Sequence, residues 1–180
     1  MIPAGYMAKR IAVRPEWLEV LHIQDIFSVS GCTSTDFADY VTYWRHNGFW
    51  LFDSPQLIKN VTGEHSISLE GMSLFYYEVH ELQYDGAEWR PFVSELSFQA
   101  NVSLPARKTL EGFDVVTFAA GNGPECSPLS CNSLAQTLST NQHCLFKSFE
   151  EAQTALIEGA FHDSEPGPYR IFAVYSVPWI

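Results

Sequence analysis

The sequence predicts an α+β domain, a mixed or antiparallel sheet with helices packed on one side. Three observations predict it. Runs of strand-forming residues recur at 72–84, 113–118 and 169–177. Stretches with apolar residues at helical spacing lie between them, two of them opened by capping sequences. The runs do not alternate regularly with helices, as a parallel βαβ sheet would require. A core is affordable: 46% of the 180 residues are hydrophobic and 26 are aromatic, which excludes a disordered chain. One domain over residues 1–180 is expected, with a subdomain boundary near 100–112, where Leu104-Pro105-Ala106-Arg107-Lys108 interrupts the strand pattern.

Taken in order, the first helix is expected after Gly31-Cys32-Thr33-Ser34-Thr35, with Phe37, Tyr40, Val41 and Trp44 on its buried face and Gly48 as its stop. Phe49-Trp50-Leu51-Phe52 reads as a short strand. Ser54-Pro55 opens a second helix, Ser54 capping and Pro55 in the first turn, with Leu57, Ile58 and Val61 inward. Met72–Tyr84 and Trp89–Phe98 read as a hairpin or meander around Asp85-Gly86, with Pro91 favouring an edge or a bulge. Phe113–Phe118 is a strand. Ser127-Pro128 starts a helix carrying Leu134, Ala135 and Leu138. His143–Phe146 is a short strand, and Ser148-Phe149-Glu150-Glu151 forms a capping box before the last helix. Tyr169–Val177 is an interior strand.

Charge narrows the function classes. Ten Lys and Arg against 21 Asp and Glu leave a formal −11. That balance argues against nucleic acid and anionic membrane as partners. Lys9, Arg10 and Arg14 break up the N-terminal run before an apolar signal core develops. No stretch reaches the roughly 20 apolar residues of a spanning helix. Four sparse cysteines suit reduced thiols, and a cytoplasmic location is expected.

Residues 61–100 hold seven acids and one cation, Arg90, so this window alone carries −6. The reading that follows is a small acidic interaction or regulatory protein, an inhibitor or immunity-type binder of a basic partner. Its binding residues are expected among Glu78, Glu81, Asp85, Glu88, Trp89 and Trp179. Homo-oligomerisation is left open, and no cofactor is expected.

The alternative is a thiol-dependent hydrolase or transferase. Cys131 would be its nucleophile, His143 its base, and Asn132 or Asn141 an orienting or oxyanion group. Against it stands packing: with Ser127 as N-cap, Cys126 and Cys131 occupy hydrophobic-staple positions and would bury there. A reversible Cys126–Cys131 disulfide is a further option. Cys126, Cys131, His143 and Cys144 depart from zinc-ligand spacing, so no metal is expected. A third reading is a small-ligand sensor with a cavity between sheet and helices.

Overall fold

The computed structural model describes residues 1–30, 36–37, 47–92, 101–117 and 126–179. Its organising strand is β8 (Tyr169–Val177), whose first six residues are all buried. Strand β4 (Met72–Val79) lies antiparallel along one edge of β8, from Leu74 opposite Val177 to Val79 opposite Phe172. Strand β7 (Thr109–Thr117) lies antiparallel along the other edge. On its far side β4 pairs with β1 (Ile2–Arg10). Past β4 the chain returns to β8 as β5 (Leu82–Tyr84), which hairpins into β6 (Trp89–Pro91). These six strands form one antiparallel sheet, and β2 (Ala12–Val13) with β3 (Asp25–Ile26) makes a separate two-stranded ribbon. The expected α+β class is what the chain adopts.

Both sheet faces are buried, and period-two alternation divides the residues between two cores. Val116, Phe172 and Val174 belong to one, and Val115, Ile171 and Tyr169 to the other. Helix α1 (Pro55–His65) opens on Ser54, whose Oγ accepts from Leu57 N at 3.2 Å. It buries Ile58, Val61 and Thr62. Helix α3 (Phe149–Ile157) opens on Ser148, whose Oγ accepts from Glu151 N at 3.2 Å. The Glu151 carboxylate reaches back to Lys147 N, one residue short of the usual capping-box donor. Ala152, Ala155 and Leu156 face the core.

Several expectations are corrected. Strand β1 has no counterpart in the sequence reading: Lys9 and Arg10 mask its pattern, and only pairing with β4 makes it a strand. Strand β4 does not hairpin with residues 89–98. It takes distant partners, and the Asp85-Gly86 turn serves the three-residue strands β5 and β6. Residues 93–98 lie outside the described residues. Pro91 does sit in β6, at the end of the sheet. In Phe49–Phe52 only Phe52 bridges, to Tyr6, because Trp50 adopts φ 59° and breaks the extension. His143–Phe146 likewise contributes one bridge, Phe146 to Phe113. The Ser127–Leu138 helix is two short pieces, α2 (Pro128–Cys131) and a 3-10 turn (Leu134–Gln136), separated by Ser133 at φ 61°. The helix expected after Thr35 falls largely outside the described residues. Its Phe37 is buried, edge-on to Phe52.

Two glycines mark the bulges that bend the sheet. Gly5 has φ 137°, and a Cβ there would stand 2.6 Å from Leu51 Cβ. Gly112 has φ 151°, and its Cβ would stand 2.7 Å from Phe146 O. Each lets an irregular segment cross the strand in backbone contact.

Candidate functional site

Register places Lys9, Tyr77 and Asp114 on one face of the sheet. Lys9 lies opposite Ser73, two residues before Phe75 on the side shared with Tyr77, and Tyr77 pairs with Val174. Asp114 pairs with Phe172, on the same side as Val174. All three are buried. Lys9 Nζ donates to the carbonyls of Ser28 at 2.6 Å and Ser30 at 3.1 Å, and stands 5.8 Å above the Tyr77 ring. Asp114 Oδ2 accepts from Ser127 Oγ at 2.6 Å and Val29 N at 2.8 Å. Ser28 Oγ donates to Ser127 Oγ at 2.9 Å. Asp114 Oδ1 and Tyr77 Oη are buried without a hydrogen-bond partner among the described residues.

Burial lifts the Asp114 carboxyl to about 6, held back by the bonds from Ser127 and Val29 and by Lys9. Burial also raises the Tyr77 hydroxyl far above its usual value, with Asp114 adding to the effect. A carboxyl titrating near 6 is half-way between acid and base at mild pH.

Cys131 ends α2 at the edge of this cluster and is exposed. Its Sγ lies 3.9 Å from Ser30 Oγ and 4.0 Å from Ser130 Oγ. The neighbouring Cys126 side chain, the Ser127 backbone and the two hydroxyls favour its thiolate, outweigh partial burial and bring Cys131 down to about 5. Cys126 is half-buried and donates to Asn132 Oδ1 at 3.9 Å. Cys144 is the inert thiol: burial, with the charges of Asp114 and Cys131, pushes it up to about 12. The burial expected of both staple thiols is not found: Cys126 is half-buried and Cys131 exposed.

His143 lies in a different setting. Asp25 Oδ1 accepts from its Nδ1 at 2.6 Å, and its Nε2 faces the Gln142 amide at 3.1 Å and Glu111 Oε2 at 3.7 Å. The ring stacks on Phe27, 4.0 Å between centroids. Asn141 Oδ1 accepts from the backbone of His143 and Leu145, and its Nδ2 ties the loop to Glu111 O at 2.6 Å. Asn141 thus builds the loop. No hydrogen bond joins Cys131 to His143 among the described residues: Cys131 meets Ser30 and Ser130, and Cys126 meets Asn132. Among the described residues no group of three His, Cys, Asp or Glu converges as a metal site.

The acidic window is also placed. Glu78, on β4, pairs with Lys108 and accepts from Tyr175 Oη at 2.9 Å and Tyr76 Oη at 3.4 Å. Asp85 and Glu88 form a turn cluster with Arg90, whose Nε is 2.8 Å from Asp85 and Nη2 2.5 Å from Glu88. Glu81 is exposed between β4 and β5, its carbonyl accepting from Phe92 N. Trp89 packs on Tyr84 and His80, and Trp179 Nε1 donates to Met72 O at 2.9 Å.

A surface that sequence reasoning did not single out lies between β2 and β3. Val13 is 78% exposed, Trp17 52% and Leu21 90%. Glu16 and Glu19 are exposed among them. Buried Leu18 and Ile23 anchor the loop, and Arg14 Nη1 holds the Leu18 carbonyl at 2.5 Å. The loop leads into His22, on the rim of a hollow of about 720 Å³ that also reaches Glu111, His143 and Lys147. The signal was in the sequence: large apolar residues beside acids, without strand or helix periodicity. A second concavity of about 430 Å³, more apolar, lies among Tyr6, Leu74, Leu104, Val177 and Trp179.

Comparison of the chain with protein-family models, curated proteins and solved structures finds no match. Among the described residues no helix is long and apolar enough to cross a membrane.

Proposed function

We propose that this chain is a small acidic binding protein, of inhibitor or immunity type, that docks a basic protein partner in the cytoplasm. The observation that carries the reading is the 13–21 loop, with Val13, Trp17 and Leu21 presented to solvent and Glu16 and Glu19 between them. Exposed aromatic and aliphatic anchors supply contact area. Flanking acids, within a chain of formal charge −11, steer a cationic partner. Three of the seven acids of the 61–100 window, Glu78, Asp85 and Glu88, already pair with Lys108 or Arg90, which favours the loop as the docking surface.

The test is quantitative capture from native lysate at low and high salt, with wild type, Trp17→Ala/Leu21→Ala and Glu16→Lys/Glu19→Lys. A basic protein retained by wild type, weakened by salt and lost with both variants supports the proposal. Equal capture by all three proteins defeats it.

A thiol-dependent hydrolase or transferase is the second reading, favoured by the low pKa of Cys131. Asp25 and His143 form an acid–base dyad, yet their described contacts include no nucleophile. Turnover of thioester or ester probes that Cys131→Ser abolishes would move the assignment there.

A further inference from the structure

Strand register gathers Tyr6, Leu74 and Val177 on one face of the sheet. Leu74 lies opposite Val177 across β4 and β8. It also lies opposite Ala8, which shares its face with Tyr6 two residues earlier. These side chains line the hollow of about 430 Å³, with Trp179 and residues 103–107. Trp179 is held by its Nε1, which donates to Met72 O at 2.9 Å. The 103–107 segment is fastened at its start: Tyr6 Oη donates to Ser103 O at 2.7 Å, and Ser103 N donates to Asp53 O at 3.0 Å. The hollow is therefore preformed and mainly apolar, and its volume lies within the roughly 300–1,000 Å³ of small-molecule sites. One cation lines it. Arg107 is exposed and has no hydrogen-bond or ion-pair partner among the described residues. Its neighbour Lys108 is already engaged, ion-paired with Glu78 and 4.1 Å from the centre of the Tyr175 ring. Among the described residues no Asp or Glu lines the hollow.

We propose that this hollow binds a small amphipathic monocarboxylate, its hydrocarbon body against Leu74, Val177 and Trp179 and its carboxylate on the Arg107 guanidinium. Burial of the apolar body supplies most of the affinity. The planar guanidinium can take both carboxylate oxygens, which fixes the orientation and selects an anionic head over a neutral one. A single cation matches a single negative charge, which favours a carboxylate over a phosphate with its charge near −2. A carboxylate is ionised at neutral pH, so binding needs no proton transfer. In a chain with 21 acids and ten Lys and Arg, an unpaired guanidinium beside apolar side chains is the feature that sets this hollow apart.

The hollow shares no residue with the docking loop, so its failure would leave the binding proposal standing. The test titrates octanoate and octanol, below micellar concentration at neutral pH, into full-length wild type, Arg107→Gln and Leu104→Asp. Calorimetry gives the affinities. The indole N–H resonance of Trp179, assigned with Trp179→Phe, reports where the probe sits. Wild type is expected to bind octanoate at least about tenfold more tightly than octanol, with the Trp179 resonance shifting on saturation. Arg107→Gln should erase that preference and leave octanol binding unchanged. Leu104→Asp, which puts an acid into the wall, should weaken octanoate more than octanol. Circular dichroism of each variant checks that it is folded. Absence of octanoate binding at millimolar concentration would overturn the proposal. So would an undiminished preference for octanoate in folded Arg107→Gln, or saturation that leaves the Trp179 resonance unmoved.

Discussion

Ser127 donates its hydroxyl hydrogen to Asp114 at 2.6 Å instead of using the side chain to cap α2. A serine before a proline is ordinarily a helix start, with its oxygen accepting from the first turn. Here the buried carboxylate on β7 takes that hydroxyl, and α2 ends after four residues. The bond ties the cysteine-bearing segment to the sheet and lowers the cost of a charge at full burial.

Replacing Asp114 isolates that cost. Its folded pKa, about 6, is raised above the ordinary 3.8, so the folded state favours the protonated form. The resulting stabilisation is complete below the unfolded value and is lost as pH rises through about 6. Over the whole window it amounts to about 3 kcal/mol. Urea denaturation of wild type and Asp114→Asn at pH 4 and pH 7.5 should show the wild type losing stability relative to the variant as pH rises. A difference that is flat with pH, or rises in favour of wild type, refutes this origin. Cys131 shifts oppositely, and both proteins carry it.

The cysteines should separate by reactivity. Iodoacetamide labelling of Cys131 should follow a midpoint near 5, set first by the neighbouring Cys126 side chain. Cys144, raised to about 12, should stay unlabelled until urea unfolds the chain. Peptide-resolved rates from pH 4 to 9 check both. A Cys131 midpoint near that of an ordinary thiol would remove the hydrogen-bond account.

Glycine substitutions should differ in sign. Gly112→Ala forces a Cβ to 2.7 Å from Phe146 O at φ 151° and should cost about 3 kcal/mol. Gly63, inside α1, has nothing within 4 Å of a new Cβ. Gly63→Ala should therefore stabilise by roughly 0.5–1 kcal/mol. Urea midpoints moving in the same direction would contradict the contrast.

The two N-cap serines should fail for different reasons. Ser148→Ala removes the bond to Glu151 N and should cost about 1 kcal/mol, with little change in pH dependence. Ser127→Ala strips a donor from buried Asp114 and should cost about 1–3 kcal/mol. It should also raise the Asp114 pKa further, moving the pH-dependent loss of stability upward. Denaturation as a function of pH distinguishes them, and identical profiles would show that Ser127 acts only on its helix.

Where a local pattern had one physical outcome, it was legible. Ser54-Pro55 and Ser148 through Glu151 place polar caps before apolar stripes, and both helices start there. Tyr169–Val177 lacks Pro and Gly and is apolar on both faces, so it could serve only as an interior strand. The reading failed where a local signal met a remote partner. Lys9 counted in the sequence only as a charge breaking an apolar run, but Ser28 and Ser30 carbonyls accept its ammonium in the interior. Asp114 was one polar residue in a strand, and nothing nearby in sequence announced Ser127 and Val29 as its partners. Asn132 and Asn141 were grouped with Cys131 and His143 by chemistry. Asn141 instead bonds the backbone of its own loop and of β7.

By itself the sequence determined the α+β class, the two capped helices, the central strand and the acidic balance. Each rests on short-range periodicity, capping or composition, which act within a few turns of chain. Tertiary structure alone decided that β1 and β8 flank β4, that Asp114 is buried beside Lys9 and Tyr77, and that Cys131 meets Ser30 and Ser130 while His143 pairs with Asp25. Those outcomes depend on strand register across long sequence separations, where displacement by one residue sends a side chain to the opposite face. Chemistry at Cys131 and Asp114 is set by desolvation and hydrogen bonds from such distant segments, and no local pattern records them.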